Sequence, residues 1–198
     1  MSFNMGEEKS IRAFLAVDPP REILDEISRI QDRLRKAIQG DIRWVKPSGM
    51  HLTLKFFGNI SESDIISISQ VVKNSSLNIG PFTLNVRRLG AFPDVKRPRV
   101  LWLGMDGDVD MLIRLQKEMD NGFQDCGFKK EDRPFKAHLT LARIKEPKEL
   151  IGLAKIIEKS EDYGAGSFTV GGLNLFKSEL TPKGAIYTKL AYFPFSGL

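Results

Sequence analysis

The sequence is poor in several residue types, and each shortage narrows what the protein can be. Its 198 residues include one cysteine and two histidines. A lone cysteine, Cys126, cannot form an internal disulfide, which favours a reducing compartment. No apolar run approaches the ~20 residues that a membrane-spanning helix needs, and the segment MSFNMGEEKSIRAF lacks the apolar stretch of a signal peptide. We therefore expect a cytoplasmic protein with no membrane association.

Motifs for common cofactors and metals are also missing. The chain has neither a P-loop nor a G-x-G-x-x-G fingerprint, so nothing supports ATP or dinucleotide binding. Two histidines without a third histidine or a cysteine pair fall short of the three or four ligands of a zinc site. Cys126, in the segment DCGF, is expected to be a small packing residue at a helix end rather than a nucleophile. We predict no cofactor and no metal.

The charge is mildly basic, with a formal net charge of +5 and an isoelectric point near 9.3. The composition, 41% hydrophobic and 28% charged, is that of a folded globular protein. Such a charge is compatible with a polyanionic partner such as RNA, but many basic proteins bind no nucleic acid.

The two histidines, His51 and His138, occur in the same tetrapeptide, H-L-T-L. Alternation along a strand places the histidine and the threonine, Thr53 or Thr140, on one face and the two leucines on the other. Lys55 would share the face of His51. Each motif is therefore predicted to bury its leucines against helices and to present an imidazole and a hydroxyl on the opposite face.

The chain also repeats itself around these motifs. His138 lies 87 positions after His51, and the same offset relates Arg12 to Arg99, each of which opens a predicted strand. Both halves follow the order strand, helix, H-L-T-L strand, helix, strand. Helices are predicted over 19–38, 61–76, 108–123 and 146–160; strands are predicted over 11–17, 41–45, 50–57, 81–92, 99–105, 138–144, 167–180 and 185–195.

This duplication predicts an α+β, bilobal fold in which residues 1–198 form a single domain. One lobe carries the motif at 51–54 and the other the motif at 138–141, around a central groove. Two imidazoles in one groove suit phosphoester chemistry without a metal. A neutral ring accepts a proton from the nucleophile, and a protonated ring gives one to the leaving oxygen. Threonine hydroxyls can donate hydrogen bonds to phosphate oxygens.

Two H-x-T-x motifs on a duplicated α/β unit resemble the 2H phosphoesterase superfamily, and within it the RNA 2′,3′-cyclic phosphodiesterases, also called 2′-5′ RNA ligases. The segments RAFLAVDPP, IRWVKPSGMHLTLKFFGNI, LGAFPDVKRPRVLWLG, FKAHLTLAR and LFKSELTPKGAIYTKL carry this resemblance over nearly the whole chain. It implies two antiparallel sheets around a central groove and a metal-independent hydrolysis of RNA 2′,3′-cyclic phosphate ends to 2′-phosphates.

The resemblance also implies roles for residues. His51 would be the general acid and His138 the general base, although two identical motifs cannot show this polarity by themselves. Thr53 and Thr140 would bind the phosphate. Arg143 would pack on the terminal base, which requires it to lie beyond the strand end or after a bulge, because strict alternation places it on the other face.

Phe14 is the candidate for the other face of the base, with a core position as the alternative. Tyr187 and Lys55 could line the groove. The expected partner is RNA, and the expected state is a monomer. Other functions stay open: 2′-5′ ligation at the same site, a non-catalytic RNA-binding module, and a 2H phosphodiesterase for a small cyclic or 2′-5′-linked nucleotide.

Overall fold

The computed structural model describes residues 10–182 and 184–197 of the chain. In this part the helices are α1 (Arg21–Ala37), α2 (Glu62–Ser76), α3 (Val109–Asp125) and α4 (Leu153–Glu158). The strands are β1 (Ile11–Val17), β2 (Ile42–Trp44), β3 (Leu52–Ile60), β4 (Phe82–Phe92), β5 (Val100–Gly107), β6 (His138–Ile144), β7 (Gly164–Val170), β8 (Gly172–Thr181) and β9 (Gly184–Pro194). Residues 1–9, on which the signal-peptide prediction largely rests, lie outside it. None of the helices described is both long and apolar enough to cross a membrane.

The strands form two antiparallel sheets. The first has the order β3-β1-β8-β9 and the second the order β2-β6-β5-β4-β7. One H-L-T-L motif belongs to β3 and the other to β6, and these two strands contact each other where the sheets meet. The predicted α+β class with two antiparallel sheets is confirmed, and the two motifs reach one junction from different sheets.

The sheets exchange strands between the two sequence repeats. The short β2 and the long β4, both from the first repeat, pair with β6, β5 and β7 of the second repeat. Conversely, the β8–β9 hairpin, which follows the second repeat, pairs through β8 with β1 of the first repeat. This exchange ties both halves into one continuous apolar core.

The first two helices form as their sequences predict. Helix α1 buries Ile27, Ile30 and Leu34 on one stripe, as 3.6-residue periodicity requires. Helix α2 begins with a capping box in which the Ser61 hydroxyl accepts from the Asp64 amide at 3.2 Å and the Asp64 carboxylate accepts from the Ser61 amide at 2.8 Å.

Two predicted elements are wrong in extent. The helix predicted over 146–160 is reduced to α4, because Ile151 pairs with Gln39 in an isolated bridge and Gly152 takes a left-handed conformation (φ 91°) against the carbonyl of Ala37. The strand predicted over 167–180 is two strands, β7 and β8, which belong to different sheets. Strand periodicity continues through Gly171, so the sequence pattern did not reveal the change of sheet.

Each motif strand carries a β-bulge three residues after its histidine. In β3, Thr53 and Lys55 pair with neighbouring residues of β1, which leaves Leu54 as the extra residue. In β6, Thr140 and Ala142 pair with neighbouring residues of β5, which leaves Leu141 as the extra residue. A bulge reverses the alternation of side chains beyond it, so the faces predicted for residues after the second leucine are inverted.

Two buried glutamines bind the backbone carbonyls of these bulges. The side-chain amide of Gln31 in α1 donates to the carbonyls of Leu141 at 2.9 Å and Val45 at 2.8 Å. The side-chain amide of Gln116 in α3 donates to the carbonyl of Leu54 at 3.4 Å. A helix side chain therefore donates to a carbonyl of each bulge from the core side, and the Leu141 carbonyl also accepts from the Val45 amide at 2.9 Å.

We expect Gln31→Leu to lower the free energy of unfolding by about 1–3 kcal/mol, because it removes two buried hydrogen bonds: the one to the Val45 carbonyl and one of the two that the Leu141 carbonyl accepts. Denaturant unfolding followed by circular dichroism measures this loss. The matched control is Gln70→Leu, since Gln70 is exposed and bonds only Asn74. Equal stability of the two variants would contradict a bracing role for Gln31.

Candidate active site

His51 lies directly before β3, among aromatic rings. Its imidazole centroid is 4.4 Å from that of Phe176, 5.0 Å from Tyr187 and 5.5 Å from Phe14. Phe14 and Phe176 form a small apolar cluster with Ala16 that is separate from the main core. His51 therefore sits on the face of the first sheet that is turned away from the core.

An acidic side chain stands beside His51. Because Val17 pairs with Leu52 in the β1–β3 ladder, the next residue, Asp18, comes to lie next to His51. Its Oδ1 is 3.8 Å from His51 Nε2, and its other oxygen is 3.4 Å from Lys189 Nζ. Burial is the largest effect and leaves the pKa of His51 below its ordinary value. The Asp18 carboxylate and a hydrogen bond to the Gly49 carbonyl raise this pKa, and the charge of Lys189 lowers it.

His138 opens β6, opposite Gly104 in the ladder with β5. Its Nδ1 is 2.6 Å from the carbonyl oxygen of Lys136. A carbonyl can only accept, so Nδ1 carries the proton, and Nε2 of the neutral ring is the free basic nitrogen. Burial lowers the pKa of His138; the bond to the Lys136 carbonyl raises it, and the charges of Lys136 and Arg143 lower it.

The two identical motifs therefore have opposite electrostatic surroundings. Both imidazoles are largely buried, and both bond the backbone carbonyl two residues earlier. The charge nearest to His51 is a carboxylate, which favours the imidazolium. The nearby charges at His138 are two cations, which favour the neutral ring. Burial lowers the pKa of both rings, but the neighbouring charges favour the protonated form more at His51 than at His138.

The threonines of the motifs lie on the histidine faces. Thr53 and Thr140 are half-buried, each between two fully buried leucines of its strand. Within residues 10–182 and 184–197, neither hydroxyl has a hydrogen-bond partner. Both hydroxyls can therefore donate to a ligand at the junction of the two sheets. We call this surface, between the faces of the sheets that carry the histidines, the motif groove.

The bulges decide which residue follows on each face. After the bulge at Leu141, Arg143 returns to the face of His138, is exposed, and is near enough to lower its pKa. This is the position that the sequence analysis required for it. After the bulge at Leu54, Phe56 occupies the equivalent place in β3 and is 60% exposed, with its ring centroid 5.6 Å from that of Phe14.

Comparison with known proteins identifies the family. The sequence profile described as LigT-like phosphoesterase matches the chain twice, over residues 17–102 and 103–187. The chain belongs to the LigT-like phosphoesterase family. The double match agrees with the internal repeat around the two motifs, and it confirms the resemblance to 2H phosphoesterases.

Relatives in this family are similar over nearly their whole length. The chain is 38% identical to the RNA 2′,3′-cyclic phosphodiesterase of Methanothermobacter thermautotrophicus, over 92% of this chain and 98% of that protein. It is 34% identical to the enzyme of that name from Methanocaldococcus jannaschii, over 89% and 96%. The crystal structure of E. coli LigT complexed with 3′-AMP superposes with a TM-score of 0.75 at 25% identity, over 95% of this chain and 99% of that one.

Within this LigT-like site, the structure brings three of the four further candidates to the histidines. Arg143 lies beside His138, and Tyr187, 37% exposed, packs edge-on to His51. Phe14 also reaches His51 but is only 3% exposed, beneath the rings of Phe56 and Tyr187. Phe14 is therefore too buried to stack on a base and supports the rings around it. The exposed aromatic ring on this face of the sheet is that of Phe56.

The prediction that Lys55 lines the groove is wrong. Because of the bulge at Leu54, Lys55 points to the helices and is 3% exposed. Its ammonium donates to the Asp120 carboxylate and to the Lys129 carbonyl, both at 2.5 Å. Lys55 is therefore a buried structural cation that ties β3 to α3 and to the loop that follows it.

Two other expectations can be compared with the structure. Cys126 is exposed at the end of α3, so its prediction as a core residue is wrong. Among the residues that the structure describes, no three His, Cys, Asp or Glu side chains are grouped so that they could hold a metal ion.

Sequence reasoning missed Asp18, Phe56 and Lys136 as site residues. The signal for Asp18 was available, since an antiparallel pairing of the first strand with the H-L-T-L strand places the residue after Val17 beside His51. Phe56 could not be found from the pattern, because strict alternation assigns it to the core face. Alternation back from His138 would place Lys136 on the histidine face, but nothing in the sequence shows its contact with His138.

We expect Asp18→Asn to move the alkaline limb of the pH profile of kcat/KM to lower pH. The carboxylate raises the pKa of His51, so without it a general acid at this position loses its proton at lower pH. With His138 as the predicted general base, the acidic limb should stay in place, and activity at neutral pH should fall about threefold to tenfold. The control is Asp32→Asn, which removes an exposed carboxylate of α1. A shift of the acidic limb alone would contradict the assignment.

We expect Lys55→Met to destabilise the fold by about 3–5 kcal/mol, because it leaves the Asp120 carboxylate buried without its cation. Thermal unfolding measures the loss. The double variant Lys55→Met/Asp120→Leu should recover most of it, and kcat of the folded fraction should stay close to that of the wild type. A loss of kcat without a loss of stability would restore Lys55 to the groove.

Proposed function

We propose that this protein hydrolyses the 2′,3′-cyclic phosphate at the end of an RNA strand to a 2′-phosphate, with His51 as general acid and His138 as general base. The observation that carries this proposal is the opposite electrostatic setting of two identical motifs on neighbouring strands. Relatives with the name RNA 2′,3′-cyclic phosphodiesterase support the substrate class.

The reaction needs one proton accepted and one donated. Nε2 of His138 takes a proton from water as the water oxygen bonds to phosphorus, and the bond from phosphorus to O3′ breaks. His51 gives its proton to O3′, which becomes the free 3′-hydroxyl, and the phosphate remains on O2′. Exchange with solvent then returns His138 to the neutral form and His51 to the protonated form.

The threonines act on the phosphate as its charge shifts. Thr53 and Thr140 donate hydrogen bonds to the two non-bridging oxygens, whose negative charge grows in the transition state. Their hydroxyls have no competing partner in the described residues, so they are available for this purpose. No bound metal ion or nucleotide cofactor takes part in these steps.

The terminal base lies between the open faces of Phe56 and Arg143. These residues occupy equivalent places in β3 and β6, since each is the second residue after a bulge. An aromatic ring and a guanidinium plane both stack on bases without requiring a particular one. Phe14 and Tyr187 support His51 from the side. Both motifs come from one chain, so we expect a monomer, and we place it in the cytoplasm.

The test is hydrolysis of 2′,3′-cyclic AMP and of a short RNA with a cyclic phosphate end, with chelator present and phosphorus NMR to identify the product. His51→Ala and His138→Ala should each lower kcat about 10²–10⁴-fold. The double variant should lose little more than either one, because the two histidines act as a pair. The exposed-site variant Asp32→Asn serves as the control.

Four outcomes would contradict the proposal. A 3′-phosphate product would reverse the regiochemistry. Full activity in either histidine variant would remove that residue from the chemistry. Joining of RNA ends that exceeds hydrolysis at equal substrate would favour the ligation alternative, and turnover of the mononucleotide with none of the RNA would favour a small-nucleotide enzyme.

A further inference from the structure

A cleft of about 360 Å³ adjoins the motif groove on the side of His138. Two of its lining residues, Trp102 and Gly104, are the β5 partners of Thr140 and His138. With Lys136 and Ala137, which directly precede His138, also in its lining, the cleft lies beside the start of the second motif. Its volume is within the range of about 300–1,000 Å³ that is usual for ligand sites, and nothing in the proposed reaction uses it.

The base of the cleft combines an indole with an ammonium group. Lys136 Nζ lies 4.6 Å from the centroid of the Trp102 ring and 5.4 Å from that of Phe92. Lys136 has no carboxylate within ion-pair distance in residues 10–182 and 184–197. The indole Nε1 of Trp102, which is 9% exposed, is buried without a hydrogen-bond partner. Lys136 is thus a cation held in position by aromatic faces and left open to an anion.

Two arginines form the opposite wall. Arg87 and Arg88 share Glu161, at 3.0 and 2.7 Å, and Arg87 also approaches Asp106 at 3.4 Å. Arg88 is a bulge residue with a left-handed backbone (φ 65°), a conformation that costs free energy in any residue but glycine. With Lys136 the cleft has three cations near two carboxylates, so its balance is positive.

Apart from Ser160, the remaining lining is apolar. Met105, Val109, Ile113 and Phe135 border the cleft from β5, α3 and the loop before β6. The indole face of Trp102 fits closely against the backbone, since a Cβ at Gly90 would lie 2.1 Å from it. A cleft lined by both cations and apolar side chains suits a ligand that has both a phosphate and a flat, uncharged ring.

We propose that this cleft binds a second nucleotide of the RNA strand, with its phosphodiester at Lys136 and Arg88. The inference rests on the proposed function, because a strand that ends in a cyclic phosphate continues only on its 5′ side. The terminal nucleotide occupies the groove at the motifs, and the preceding nucleotide extends past His138. The protein then distinguishes an RNA end from a cyclic mononucleotide by this second contact.

The test compares binding of the dinucleotide ApA with a terminal 2′-phosphate to binding of 2′-AMP, by calorimetry at several salt concentrations. The wild type should bind the dinucleotide about tenfold or more tightly, with a steeper salt dependence. In Lys136→Met the preference should fall to nearly one, and the salt slope for the dinucleotide should fall by about 0.7. Because Lys136 also lies beside His138, affinity for 2′-AMP should fall as well, but by a smaller factor than affinity for the dinucleotide.

Two further variants sharpen the result. Arg88→Gly removes the charge and keeps the left-handed backbone, so it should also reduce the preference for the dinucleotide without unfolding the bulge. Lys36→Met removes one exposed positive charge from α1 and should leave both affinities unchanged.

Equal binding of the two ligands by the wild type would overturn the proposal. An equal loss for both ligands in Lys136→Met would also overturn it, because Lys136 would then act at the terminal phosphate. Hydrolysis of the corresponding cyclic phosphates is measured in parallel. Failure of both substrates to turn over would reject the proposed function, whereas the binding preference reports on the cleft alone.

Discussion

The site depends on a single backbone device that is used twice, the β-bulge three residues after each histidine. Without the bulges, regular alternation would turn Arg143 and Phe56 into the core and bring Lys55 into the groove. With them, each strand presents a histidine, a threonine and then a group that can stack on a base. The buried glutamines Gln31 and Gln116 hold the freed carbonyls from behind, so the helices fix what the strands display.

Identical motifs acquire different chemistry from their neighbours. The β1–β3 register places Asp18 at His51, and the loop before β6 places Lys136 at His138. In the proposed mechanism, residues outside both tetrapeptides therefore determine which histidine is the acid and which is the base. Duplication of one unit places the same histidine in both halves. Nearby charges of opposite sign are then sufficient to give the two histidines different pKa values and different roles.

Much of the architecture follows from local sequence. Periodicity, the Ser61 capping box and the 87-residue offset predict most of the helices, the strands and the duplication. The exchange of β2, β4 and the β8–β9 hairpin between sheets could not be predicted, because pairing partners are set by tertiary contacts that a strand pattern does not contain. For the same reason the helix predicted over 146–160 failed, since the Gln39–Ile151 bridge interrupts it.

The candidate site also has one part that the sequence predicts and another that depends on tertiary structure. The histidines and threonines are evident because the tetrapeptide repeats, and their faces follow from simple alternation. Beyond the second leucine of each motif, the face on which a side chain lies depends on the bulge. For this reason Lys55 was predicted on the wrong face and Phe56 was not predicted as a site residue. Phe14 was found at the right place, but its burial beneath other rings depends on how β8 and β9 cover it, and this is not a property of its own strand.

The most direct test of this account is the titration of the two imidazoles by NMR in the free protein. The chain has only two histidines, so His51→Ala and His138→Ala assign the two signals unambiguously. The account predicts that His51 titrates at higher pH than His138, and that Asp18→Asn lowers the pKa of His51 with little effect on that of His138. A higher pKa at His138, or a pKa of His51 that does not respond to Asp18, would contradict the assignment of acid and base.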